Sequence, residues 1–151
     1  MHYGMNLLLW SDTLTNEALP LLEEIKEIGF DAVELPIFEI DVAKYAKWGK
    51  RLDELGLARS GVTVRGVDDN PMSPDPKVRR KGVDANKAAL DCCQAAGIET
   101  LVGPYHSALG YFSGAGPTKD EWNWAVESMR EVAEYADKCG VTLALEYLNR
   151  F

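Results

Sequence analysis

The chain has 151 residues, 46% of them hydrophobic and 26% charged, a balance that suits one globular domain with a real core and excludes a disordered segment. Its formal charge of −8 argues against nucleic acid and anionic membrane as partners, because KVRRK at 77–81 is the only dense basic cluster against an acidic field. The start, MHYGMNLLLW, lacks a basic leader region, and its apolar run is far too short to span a bilayer, so the cytoplasm is the expected compartment.

The first predicted strand covers 5–10 and is followed by a helix over 16–28, with Leu21, Leu22, Ile25 and Ile28 on one face and Pro20 in its first turn. Gly29 ends that helix, and a strand over 32–38 follows. Asp41 caps a second helix that stops at Gly56, before a strand at 61–64. Asp75-Pro76 opens a third helix, Gly97 closes it, and a strand at 100–104 comes next. Thr118 and Glu121 form a capping box for the fourth helix. Trp122, Val126, Met129, Val132, Ala133 and Ala136 recur along it at helical spacing up to Gly140, and a last strand covers 142–148. Three cysteines, two of them adjacent within the third helix, read as reduced packing thiols, and no C-x-x-C pair supports a zinc site.

The order is βαβαβαβαβ, with short apolar strands suited to a parallel sheet. Two architectures fit: a doubly wound sheet of the flavodoxin type, or part of a (β/α)8 TIM barrel. A doubly wound domain normally finishes on a helix over its last strand, and a full barrel takes roughly 250 residues. The expected fold is therefore α/β and of the TIM-barrel type, an incomplete barrel of five parallel strands and four helices in a single domain. It would be either cut short or completed by a second copy, and a homo-oligomer is expected.

Ligands of such sheets gather at the carboxyl ends of the strands. Glu146 sits in the apolar run LALEYL beside the small Ala144, and a carboxylate there needs a cation, a metal or an arginine. Either a salt bridge at a strand end or a functional ligand satisfies that need. Glu34, in DAVELP, carries the same ambiguity. His106 lies in the long loop after the fourth strand, and GAGPTK at 114–119 resembles a phosphate cradle without P-loop spacing. Trp10, Tyr105, Tyr111 and Phe112 stand near strand ends, where aromatic rings stack on sugars or pack the rim.

The segments GMNLLLW, GFDAVELP, SPDP, GPYHSALG, PTKDEW and above all GVTLALEYLNRF together resemble the ketose 3-epimerases (D-tagatose and D-psicose 3-epimerase group) of the xylose isomerase-like superfamily. The resemblance implies a (β/α)8 barrel that epimerises a ketose at C3 through an enediolate, on a small-molecule ketose substrate. It implies a divalent metal, Mn²⁺ first with Co²⁺ or Mg²⁺ as alternatives, held by four residues of the last four strands. Only Glu146 matches one of those ligands, and it would serve as both metal ligand and acid/base residue. Asn6, Trp10, Tyr105 and His106 would line the substrate pocket by position. Asn6 and Leu14 stand where hexulose 3-epimerases often carry aromatic residues.

Overall fold

Just past each of four helices a glycine takes up the left-handed conformation that turns the chain directly into a strand. At Gly140, for example, φ is 69° and the N–H donates back to the carbonyls of Ala136 and Asp137. In this computed structural model, which describes residues 1–148, the resulting elements are β1 (Gly4–Asn6), α1 (Leu19–Ile28), β2 (Ala32–Pro36) and α2 (Val42–Leu55). They continue as β3 (Ala58–Val62), α3 (Pro76–Ala96), β4 (Thr100–Gly103), α4 (Lys119–Cys139) and β5 (Thr142–Leu145). The predicted caps form: Asp41 accepts from the N–H of Lys44, Asp75 from that of Lys77, and Thr118 and Glu121 close a reciprocal box.

All five strands are parallel and lie in the order β1-β2-β3-β4-β5. A doubly wound sheet reverses direction at a switch point, whereas here every crossover steps to the next strand in the same sense. With right-handed crossovers this places the helices on one face, and α1, α2, α3 and α4 pack in succession. The fold is thus of the TIM-barrel type, an incomplete barrel of five strands and four helices among the described residues.

Strand alternation separates a helix-covered face from an inner one. Val33, Leu35 and Ile37 point into the helix layer and are buried against Tyr45, Trp48 and Leu52 of α2. Full burial of a side chain such as Leu35 contributes about 1.5–3 kcal/mol. At Gly49 a Cβ would stand 2.6 Å from the carbonyl oxygen of Ala96, so the α2–α3 contact runs backbone against backbone. Cys92 and Cys93 are buried, free thiols in this layer, and burial pushes Cys93 up to about 12, which keeps it protonated at neutral pH. No described helix is long and apolar enough to cross a membrane.

Several strand boundaries differ from expectation: β2 ends at Pro36 and β5 at Leu145, so Glu146 stands just past its strand rather than inside it. β1 stops at Asn6, whose side-chain oxygen accepts from the N–H of Leu8 at 2.8 Å and starts a 3-10 turn over Leu7–Leu9. β3 begins three residues early, at Ala58, because a single residue after Gly56 suffices to enter the sheet. Leu14 belongs to the core at 4% exposure and does not face the inner side of the sheet.

Candidate active site

Residues that alternate with the buried set point to the inner face. On β1, β2 and β3 these are Asn6, Glu34 and Ser60, which stand side by side in the register of the sheet. Glu34 accepts hydrogen bonds from the side-chain amide of Asn6 and from the hydroxyl of Ser60, both at 2.9 Å. On β5 the same face carries Ala144, and Glu146, the first residue past the strand, continues that alternation. The backbone N–H of Glu146 donates to the carbonyl of Gly103 at 3.0 Å, which carries the β4–β5 ladder to the carboxylate's own residue.

Followed across the sheet, the row that contains Asn6 reaches β5 at Thr142, four residues before Glu146. In an eight-stranded barrel of shear eight, positions at one height advance about one residue per strand. Four strands on, that stagger puts Glu146 at the height of Asn6, at the carboxyl end of the sheet. Glu146 is exposed, and among the described residues its side chain makes no ion pair.

The remaining sequence candidates separate. Trp10 follows the turn after β1 and is 52% exposed at the same end of the sheet. Tyr105 shares the parity of Leu101 and is 1% exposed within the helix-side core, with burial raising its phenol above the usual tyrosine value. It faces away from Glu146. His106 is half-buried and lines a cavity of about 580 Å³ between α4 and the end of β5, together with Trp122, Met129 and Leu145. Tyr147 and Leu148 line it as well, so the cavity with His106 lies beside the stretch that carries Glu146.

At 114–119 the N-terminus of α4 is already met by an anion: the Glu121 carboxylate accepts from the N–H of Thr118 at 2.7 Å and from its hydroxyl at 2.9 Å. A phosphate placed there would meet that negative charge. Arg65, at the end of β3, is also turned inward to the fold. The residue is 8% exposed and its guanidinium donates to Asn86, Thr63 and Asp69, while Asn86 in turn donates to the carbonyl of Tyr105. Burial pulls the guanidinium below the ordinary arginine value, and Asp69 opposes the shift. This cluster ties the β3–α3 and β4–α4 loops together beneath the mouth of the sheet. Thr63 and Asp69 are its sequence neighbours, but Asn86 is 21 residues on and is brought in only by the packing of α3, which sequence patterning does not show.

Among the described residues no three His, Cys, Asp or Glu side chains converge. Glu146 provides one carboxylate, and a divalent ion takes roughly four to eight donors. The described residues do not by themselves form a metal site. The Asn-Arg-Phe end of the last motif, at 149–151, lies outside the described residues.

Comparison with known proteins places this geometry. The family model described as xylose isomerase-like TIM barrel matches residues 22–151. An L-ribulose 3-epimerase of Mesorhizobium japonicum is 28% identical over 149 residues, covering 98% of this chain and 50% of the relative. A D-psicose 3-epimerase of Ruminiclostridium cellulolyticum is 26% identical, covering 100% and 53%. The solved structure of an L-ribulose 3-epimerase superposes with a TM-score of 0.89 at 28% identity, covering 100% of this chain and 51% of that one. A D-allulose 3-epimerase from Methylomonas sp., in complex with D-allulose, gives 0.86 at 26% identity, covering 100% and 52%. The chain spans about half the length of the curated relatives it matches, and those homologues are epimerases. By the match over most of its length, the chain belongs to the xylose isomerase-like TIM barrel family.

Proposed function

We propose that this chain is the N-terminal portion of a barrel that epimerises a ketose at C3, with Glu146 as the residue that moves the C3 proton. The observation that carries the reading is the position of Glu146: an exposed carboxylate on the inner face, at the carboxyl end of β5, without an ion-pair partner among the described residues. The similarity to L-ribulose and D-psicose 3-epimerases supports the reaction class.

The C–H next to a ketone is acidified by delocalisation of the resulting charge onto the carbonyl oxygen. A carboxylate held at one face of that carbon takes the proton, and return of a proton from the opposite face inverts the centre. Glu146 supplies one such face. Asn6 and Trp10 stand at the same end of the sheet, where an amide can hydrogen-bond a sugar hydroxyl and an indole can cover a sugar's apolar face. A divalent metal, with Mn²⁺ first and Co²⁺ or Mg²⁺ as alternatives, is part of the proposal only as a group that further residues would complete, with Glu146 as one donor.

On this reading the 151-residue chain alone is inactive, since Glu146 works at one face of the carbon and the return of a proton to the other face falls to the residues that complete the barrel. The polypeptide that completes the barrel should interconvert a C3-epimeric pair when given ribulose, psicose or tagatose with Mn²⁺. Formation of an aldose instead would assign an aldose–ketose isomerase of the same family. Turnover by the isolated chain would overturn the claim of inactivity.

A further inference from the structure

On the inner face of β1–β3, Asn6, Glu34 and Ser60 form a continuous hydrogen-bonded row, and the row has a direction. The Asn6 side-chain oxygen is committed to the N–H of Leu8 at 2.8 Å. Its nitrogen is committed to one Glu34 oxygen at 2.9 Å, while the other Glu34 oxygen accepts from Ser60 at 2.9 Å. A carboxylate accepts and never donates, and a backbone N–H donates and never accepts. The two partners together therefore allow only one orientation of the Asn6 amide. Its second N–H hydrogen is used by neither partner.

Glu34 makes no ion pair among the described residues, so its charge is held by neutral donors alone. Neither Val33 nor Leu35 competes for it, since both are buried on the other face. A carboxylate kept half-buried beside an asparagine at the carboxyl end of β1 serves poorly as packing, because an apolar residue would fill the space without a desolvation cost. It serves well as a fixed acceptor that aims a neighbour.

We infer that Glu34 is a positioning residue for ligand recognition: backed by Ser60, it locks the Asn6 amide as a hydrogen-bond donor toward a ketose hydroxyl at the mouth of the sheet. The inference rests on the reading of Glu146's barrel as a ketose epimerase and extends it to the opposite edge of the same face. Glu34 touches no substrate; it acts through Asn6.

The test is a double-mutant cycle in the complete epimerase polypeptide, read as KM against kcat for its ketose. Glu34→Leu removes the acceptor at similar volume and should raise KM about five- to tenfold, the size of one hydrogen bond, with kcat within about twofold. Glu34→Gln can still accept from Asn6 and donate to Ser60, so it should restore KM to within about twofold. Asn6→Ala should raise KM as Glu34→Leu does, and adding Glu34→Leu to Asn6→Ala should change nothing further. Ser60→Ala, which removes a single backing bond, gives a milder rise and covers the case in which Glu34→Leu folds poorly. Multiplying effects of Asn6→Ala and Glu34→Leu, or an unchanged KM in Glu34→Leu and Ser60→Ala, would overturn the positioning role while leaving the epimerase reading intact. A wild-type polypeptide that turns over no ketose would overturn both.

Discussion

Glu146 and Gly103 are joined by a backbone hydrogen bond of 3.0 Å, and that bond fixes which face of the sheet the carboxylate uses. At the same residue β4 approaches β3 closely. The φ of Gly103 is 130°, and a Cβ there would lie 2.1 Å from the carbonyl oxygen of Thr63.

Gly103→Ala should therefore destabilise the fold by about 2–4 kcal/mol, through combined steric overlap and left-handed strain. The urea midpoint falls, and activity of the complete polypeptide falls more steeply than in a control such as Gly116→Ala, where an added Cβ meets nothing within 4 Å.

Asp69→Asn should cost about 1–3 kcal/mol, because it leaves the guanidinium of Arg65, a residue 8% exposed, beside neutral partners only. Chemical denaturation checks this. Hydrogen exchange should quicken first in the loops around 66–73 and 104–109, which the cluster joins.

Glu131 sits between Arg80 and Lys87, whose hydrogen bonds hold its carboxyl down at about 2. The folded value lies below the ordinary glutamate value, so the stabilisation is complete above about pH 4.5 and is lost as pH falls toward 2. The site is 41% exposed, so screening keeps the effect to about 1 kcal/mol or less. The melting temperature of the wild type should drop toward that of Glu131→Gln across this window, and added salt should narrow the gap at neutral pH.

Helix ends were legible from sequence because each is written locally: an Asp or Thr before the first turn, a glycine after the last. The parallel barrel-type sheet followed from their alternation with short apolar runs, and the glutamate within LALEYL was conspicuous for being charged. The end of the first strand is not legible, since LLLW fits a strand or a turn equally well and the Asn6 side chain decides it by capturing the N–H of Leu8. Position after β4 puts Tyr105 near the pocket, but two-residue alternation from Leu101 puts it in the core. The Asn6–Glu34–Ser60 row and the place of Asn86 in the Arg65 cluster are not legible for one reason: each depends on register and packing between residues 21 to 28 positions apart.

The central claim is that Glu146 moves the C3 proton of a ketose. The direct measurement is deuterium incorporation from D₂O at C3, followed by NMR with the complete polypeptide and its Glu146→Gln variant at matched folded concentration. The account predicts label at C3 in both epimers with wild type, and a loss of about a thousandfold or more in Glu146→Gln. Undiminished C3 exchange in Glu146→Gln, or label at C1 with aldose formed, would contradict it.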